Sequence, residues 1–209
     1  LRTGKDCDCV SNYNKYVHEA EDEPIETIIR VAEPIDAKAI LGLLRHVGKD
    51  TPYLSVGPEG ANMTVDQQVE LITRYNESDN NIMLVAESDD QIVGMATVAV
   101  IDNNRQSHVA EVGVSIIKEY WGYGIGSILT EEMIQFANYA EIKVLTLEVV
   151  TKNIRAIKLY EKYGFEIVEV LLVPHGGWHN DTIIVVGFRG FLPSLAFLSP
   201  TSKVPNPTN

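Results

Sequence analysis

Apolar positions along the chain follow two periods, one typical of strands and one typical of helices. Short apolar runs predict strands at "ETIIRVAEP", "NIMLVAES", "QIVGMATVAVID", "HVAEVGVSII", "KVLTLEVV", "FEIVEVLLV" and "DTIIVVGF". Helical spacing predicts helices at "IDAKAILGLLRHVG", "TVDQQVELITRY", "GSILTEEMIQFANYA" and "NIRAIKLYEKYG". The order β-α-α-β-β-β-α-β-α-β-β predicts an α/β protein in which helices flank a mixed sheet.

Residues at the ends of the predicted helices agree with these boundaries. Asp36 precedes the first helix as an N-cap, and Gly48 is placed to end it. Asn153 precedes the last helix, and Gly164 follows it. These residues therefore predict where the first and the last helix begin and end.

Periodicity divides the chain into three parts. Residues 1–24 are polar and aperiodic and predict a flexible arm, residues 25–190 carry all the predicted elements, and residues 191–209 are a proline-containing tail. The 209 residues, 45% of them hydrophobic, suit one domain with a proper core.

Net charge and cysteine content limit the classes of function. The formal charge of −12 argues against a nucleic-acid-binding protein and suits solubility or a cationic substrate. No apolar run is long enough to cross a membrane, and the N-terminal residues lack a signal-peptide pattern. Cys7 and Cys9 cannot complete a metal site and predict reduced thiols in a cytoplasmic protein. We expect no metal.

A glycine-rich segment, "YWGYGIGSIL", lies between the fourth strand and its helix. Gly122, Gly124 and Gly126 let the backbone approach a bulky anion and leave N–H groups at the positive end of the helix dipole. The segment therefore predicts a phosphate cradle. It lacks the lysine of a P-loop, and its G-x-G-x-G spacing fits a dinucleotide-binding turn poorly.

The same segment resembles the acyl-CoA pyrophosphate loop of the GNAT superfamily of N-acetyltransferases, whose pattern is Gln/Arg-x-x-Gly-x-Gly/Ala. Trp121 stands at the Gln/Arg position, a departure that removes one polar contact. Residues 153–170, "NIRAIKLYEKYGFEIVEV", resemble the helix-strand element that follows the loop in that family. The resemblance covers about residues 25–189. It implies the GNAT fold, a mixed and mostly antiparallel sheet of 6–7 strands with about four helices.

The resemblance implies acetyl-CoA as the co-substrate, bound by a defined set of residues. The diphosphate is expected on Trp121, Gly122, Tyr123, Gly124, Ile125, Gly126 and Ser127. Asn153 is expected to bind the pantetheine arm as well as to cap its helix. The thiol end is expected beside Ile116, Ile117 and Lys118, with the N–H of Ile116 as an oxyanion donor.

Two side chains are candidates for catalysis. Glu111 is the candidate general base, directly or through water, with a carboxylate that merely attracts the substrate as the alternative; His108 is a further option. Tyr160 lies two helical turns after Asn153, on the same face. The resemblance implies that Tyr160 is the acid, whereas its pattern would also fit a core aromatic.

These features together predict an N-acetyltransferase that acetylates a primary amine of a small molecule or peptide, with no nucleic-acid or membrane partner. The resemblance admits a homodimer. Acceptor specificity is expected from residues 48–68 and from residues 173–182, which contain His175, Trp178, His179 and Asp181. The alternatives are a non-catalytic acyl-CoA sensor of the same fold and a Rossmann-type nucleotide-binding protein.

Overall fold

Eight strands form one sheet in the computed structural model, which describes residues 14–18, 25–51, 53, 57–101, 108–172 and 182–189. The strands are β1 (Asn14–His18), β2 (Ile25–Val31), β3 (Ile82–Ser88), β4 (Gln91–Val100), β5 (Val109–Ile116), β6 (Val144–Val150), β7 (Glu166–Leu172) and β8 (Thr182–Arg189). The helices are α1 (Ala37–Asp50), α2 (Val65–Glu77), α3 (Ile125–Tyr139) and α4 (Ile154–Lys162), with 3-10 helices at Pro34–Asp36 and Lys118–Tyr120. Every element predicted from periodicity is present.

The strand order confirms the predicted mixed and mostly antiparallel sheet. The order is β1-β2-β3-β4-β5-β6-β8-β7, and in the described residues only β5 and β6 are parallel neighbours. A Rossmann fold has a largely parallel, doubly wound sheet. The Rossmann-type alternative is therefore wrong.

One strand was not anticipated and accounts for the difference between eight strands and the predicted 6–7. β1 lies within the segment predicted as a flexible arm and pairs antiparallel with β2, from Asn14↔Ile29 to His18↔Ile25. Its sequence, "NKYVH", is too short and polar to show strand periodicity. The boundaries of the arm and the tail otherwise stay predictions, because Cys7, Cys9 and residues 190–209 lie outside the described residues.

The helix ends follow the prediction at α4 and depart from it at α1. Asn153 caps α4 by accepting a hydrogen bond from the N–H of Ala156, and Gly164 follows the helix with a φ of +81°. Gly48 does not end α1, which continues to Asp50. One glycine costs a helix only about 1 kcal/mol, so neighbouring packing overrides it.

Helices cover both faces of the sheet and form two cores. On one face α3 packs over β3 to β6, with Leu84, Ala96, Leu129 and Leu145 buried at its centre. On the other face α1 and α2 cover alternate residues of β3 and β4. No helix in the described part of the chain is long and apolar enough to span a membrane.

An ion cluster of buried Asp36 with half-buried Arg30 and Glu87 ties the start of α1 to the sheet. The Arg30 guanidinium donates to both carboxylate oxygens of Asp36, at 2.6 and 2.9 Å, and to Glu87 on β3. The Glu33 amide also donates to Asp36, at 2.7 Å. Burial would raise the pKa of Asp36, but the hydrogen bonds from Arg30 and Glu33 outweigh it and hold that pKa below its usual value.

Replacing Asp36 by Asn should destabilise the fold by about 3 kcal/mol, because it leaves Arg30 without its principal partner. The lowered pKa means that Asp36 contributes stability above about pH 4 and loses it as the pH falls through the pKa of the folded state. Urea unfolding of both proteins between about pH 2.5 and 7 measures the difference, which should shrink below about pH 4. The exposed Asp79→Asn is the control, and a constant difference at all these pH values would contradict the assignment.

Candidate functional site

A cleft opens where β5 and β6 separate. The two strands pair only from Val109↔Val144 to Glu111↔Thr146. β5 then continues beside β4 as far as Ile116, and β6 continues beside β8 as far as Val150. The resulting cleft has a volume of about 340 Å³ and is lined by the end of β5, the segment after it and the inner face of α4.

Backbone groups of β5 face this cleft. The N–H of Ile117 donates to the Val93 carbonyl at 3.0 Å, which sets the hydrogen-bonding phase of the β4–β5 ladder. In an antiparallel ladder, residues alternate between those bonded to the partner strand and those directed away from it. The N–H and carbonyl groups of Val114 and Ile116 therefore point away from β4, towards the cleft.

Trp121 uses one of these groups. Its indole N–H donates to the Ile116 carbonyl at 2.8 Å, so the first residue of the glycine-rich loop is held against the end of β5. A glutamine or arginine at the same position would have a polar end available for a ligand. In this chain the polar atom of Trp121 serves the structure of the loop.

The glycine-rich loop presents peptide N–H groups at the start of α3. Gly122 and Gly124 have φ values of +96° and +82°, a conformation that favours glycine. The amides at the two ends of the segment are used internally, since Trp121 donates to Lys118 and Ser127 donates to Gly124. Among the described residues, no hydrogen bond is formed by the amides between them, at positions 122–126.

Gly126 has a different role from the other two glycines. A Cβ atom at this position would lie 3.2 Å from Leu159 and 3.3 Å from Ile116. The absence of a side chain therefore allows the start of α3 to pack closely against α4 and β5. This contact brings the loop, the strand and α4 together around the cleft.

α4 supplies Asn153 and Tyr160 to the same cleft. The ring of Tyr160 is buried and packs against Phe165, with ring centres 5.5 Å apart. Burial raises the pKa of Tyr160 above its usual value. The residue is therefore both a core aromatic and a phenol at the cleft, which combines the two roles that its position in the sequence suggested.

Glu111 lies apart from Tyr160. Its neighbours Ala110 and Val112 belong to the core under α3, so the Glu111 side chain points to the opposite face of the sheet, where it is exposed. There it adds to the rise in the pKa of Tyr75 on α2, which burial causes in the first place. About 16 Å of strand separates Glu111 from Ile116. The structure does not bring Glu111 into the cleft lining.

Three other predicted residues lie beside the cleft rather than in its lining. Ile117 and Tyr123 pack against the hydrophobic core, and Lys118 begins the short 3-10 helix. The predicted acceptor residues His175, Trp178, His179 and Asp181 lie outside the described residues.

Sequence reasoning missed several residues that line the cleft. Val47, Thr51 and Tyr53 reach it from the end of α1. Arg155 reaches it from the first turn of α4, with its Cζ atom 5.3 Å from the centre of the Trp121 ring. In the sequence, the sign that Arg155 could line a site is its position, since it is a positively charged residue two positions after the predicted N-cap Asn153.

Comparison with known proteins shows which family has this architecture. The model of the acetyltransferase (GNAT) family matches residues 56–165, more than half of the chain. L-amino acid N-acetyltransferase AaaT of Escherichia coli (strain K12) is 40% identical over 85 residues, which are 40% of this chain and 52% of that protein. The chain thus matches about half the length of this curated relative.

Solved structures have the same fold. The GNAT-family acetyltransferase from Streptococcus pneumoniae is 30% identical, with a TM-score of 0.75 over 78% of this chain and 98% of that chain. The protein yncA from Salmonella typhimurium, solved with its cofactor acetyl-CoA, is 18% identical, with a TM-score of 0.69 over 78% of this chain and 93% of that chain. The parted strands, the glycine-rich loop and these matches lead to one conclusion, which is that the chain belongs to the acetyltransferase (GNAT) family.

Proposed function

We propose that this protein is an N-acetyltransferase that moves an acetyl group from acetyl-CoA to a primary amine of a small molecule or peptide. The observation that carries the proposal is the meeting of three features in one cleft. These are the unbonded loop amides, the outward-facing backbone of β5 and the buried phenol of Tyr160. Family membership supports the same activity.

The loop and the strand would hold the two halves of acetyl-CoA. Amides at positions 122–126 form an anion site for the diphosphate at the N-terminus of α3. Ser127 can add its hydroxyl, and the Val114 backbone can pair with the amides of the pantetheine arm as a strand would. Asn153, at the cleft wall, is the side-chain candidate for the same arm.

The N–H of Ile116 would stabilise the charge that develops on the thioester oxygen. This N–H points into the cleft, and the neighbouring Ile116 carbonyl is already occupied by Trp121. A preorganised backbone donor of this kind is worth about 10²–10³ in rate.

Glu111 would accept the proton of the amine through water. An alkylammonium has a pKa of about 10 and must be deprotonated before its nitrogen can attack the thioester carbon. The exposed position of Glu111, about 16 Å along the strand from Ile116, favours a relay through water over direct contact. The same exposed position also suits the alternative in which the Glu111 carboxylate only attracts a cationic acceptor.

Tyr160 would protonate the departing sulfur. As the new C–N bond forms and the C–S bond breaks, the phenol gives its proton to the sulfur and later recovers one from solvent. A phenol is protonated at neutral pH, and the raised pKa of Tyr160 extends that state above the usual value of about 10.

The acceptor class follows from the similar Escherichia coli protein. Because that protein is an L-amino acid N-acetyltransferase, L-amino acids are the first acceptors to test. We also propose a cytoplasmic location, from the predicted free thiols Cys7 and Cys9, and a homodimer, from family resemblance.

Replacing Gly124 by Ala should lower acetyl-CoA affinity at least about tenfold. A side chain at a φ of +82° strains the loop by about 1–2 kcal/mol, and relief of that strain turns the amides away from their common target. Isothermal titration with acetyl-CoA measures the effect, and NAD should not bind.

Gly42→Ala is the matched control, because its Cβ meets nothing within 4 Å in the middle of α1. This variant should bind acetyl-CoA as the wild type does. Unchanged affinity in a folded Gly124→Ala protein would remove the loop from the binding site.

Tyr160→Phe should lower turnover by about 10²–10⁴ while acetyl-CoA affinity stays nearly constant, because only the proton donor is lost. Thiol release with a panel of L-amino acids measures turnover. Tyr163→Phe is the control, since the Tyr163 hydroxyl donates to Glu131 outside the cleft lining. Acetyl-CoA binding by the wild type without turnover of any amine would instead indicate the non-catalytic sensor.

The pH dependence of kcat/KM follows from the raised pKa of Tyr160. The acid must carry its proton, and a raised pKa extends the protonated state above the usual value of about 10. The rate should therefore rise from about pH 6 to about pH 10 as the amine loses its proton, with no descending limb in that interval. A descending limb near about pH 8 that disappears in Tyr160→Phe would contradict the raised pKa of Tyr160.

A further inference from the structure

The proposed diphosphate site contains no charged side chain of its own. Residues 121–127 read "WGYGIGS", and the chain as a whole has a formal charge of −12. Loop amides and the helix dipole provide only partial positive charge, equivalent to about half a unit at a helix N-terminus. A diphosphate bound there would gain from a full positive charge nearby.

Arg155 is the charged residue in the cleft lining of the described chain. Its Cζ atom lies 5.3 Å from the centre of the Trp121 ring, within the range of a cation–π contact. Such a contact engages the charge of the guanidinium and leaves its N–H donors available. In the described residues Arg155 forms no hydrogen bond or salt bridge with other side chains.

Trp121 is well suited to hold this cation in place. The indole N–H is bonded to the Ile116 carbonyl, so the ring has a defined orientation against the end of β5. The face of the ring carries the guanidinium of Arg155, at the point where the loop begins. The tryptophan thereby connects the strand, the loop and α4.

Other cations of α4 are placed differently. The ammonium of Lys162 donates to the Tyr163 hydroxyl at 3.2 Å and to the Ser127 hydroxyl at 3.5 Å. Lys158 lies one helical turn after Arg155; both side chains are exposed, but Lys158 is absent from the cleft lining. Of these three cations, Arg155 is the one in the cleft lining and beside the first residue of the loop, and this makes it the candidate for the diphosphate contact.

We infer that Arg155, held over the face of Trp121, supplies the cationic contact to the diphosphate of acetyl-CoA. Trp121 acts through Arg155 and is a positioning residue. The inference rests on the proposed function. In this chain the charged contact would come from Arg155 in the first turn of α4, because Trp121 stands at the loop position that is Gln or Arg in the family pattern.

Arg155→Gln tests the contact with three ligands. Acetyl-CoA affinity should fall about tenfold to a hundredfold, as expected for loss of hydrogen bonds to a charged group. The affinity for 3′-dephospho-acetyl-CoA, which keeps the diphosphate, should fall by the same factor. S-acetylpantetheine, which has no phosphate, should bind the variant and the wild type equally.

Lys158→Gln is the matched control, because it removes the same charge one turn away on the same helix. The salt dependence of acetyl-CoA binding should weaken in Arg155→Gln and stay unchanged in Lys158→Gln.

The positioning role of Trp121 requires a double-mutant cycle. Trp121→Leu should weaken acetyl-CoA binding in the wild-type background and have little further effect in Arg155→Gln, because the two residues act as one unit. Placing a guanidinium on the loop, with Trp121→Arg, should restore binding to Arg155→Gln. Additive losses and absence of rescue would overturn the coupling.

The outcomes separate this inference from the proposed function. If the wild type does not bind acetyl-CoA, the proposed function fails. If the wild type binds and Arg155→Gln binds within about twofold, the inference fails alone. It also fails if the loss disappears with 3′-dephospho-acetyl-CoA, which would assign the contact to the 3′-phosphate. Equal losses for acetyl-CoA and S-acetylpantetheine, with a lower melting temperature, would show a structural role and overturn it as well.

Discussion

Two neighbouring strands that pair briefly and then separate leave backbone polar groups inside a sheet without strand partners. β5 and β6 share three residue pairs before they part. Beyond that point the groups of Val114 and Ile116 face the cleft. Buried peptide groups need hydrogen-bond partners, and the protein supplies one through the indole of Trp121. An extended ligand with amides of its own could supply the others, and this is the physical basis for proposing that acetyl-CoA lies between the separated strands.

The proposed function requires an anion-binding cleft in an acidic chain. The two are compatible, because peptide dipoles, which do not alter net charge, would perform most of the proposed anion recognition at the start of α3. One guanidinium on α4 is the only full positive charge in the described lining. The acidic remainder of the surface, including exposed Glu111 on the opposite face of the sheet, stays free to favour a cationic acceptor.

Local patterns predicted most of the fold, and long-range pairing accounts for what they missed. Alternating and helical spacing identified the elements of residues 25–189, because those patterns report which side chains face a core. β1 escaped since its five residues are polar and its pairing depends on β2. The ion cluster of Arg30 with Glu87 joins residues 57 positions apart, which no local pattern reveals. Glycine spacing identified the loop and motif resemblance identified Tyr160, whereas the contact of Arg155 with Trp121 depends on how α4 packs beside the loop.

α4 has nine residues and is therefore about 13 Å long, short enough to move as one stiff rod. Asn153 anchors it directly after β6, Arg155 lies in its first turn and Tyr160 in its last. Any tilt of the rod displaces the guanidinium and the phenol in concert. If acetyl-CoA binds as proposed, its contact with the guanidinium would reach the phenol through this single helix, and a ligand without the diphosphate would leave the phenol less firmly aimed even when its reactive end is identical.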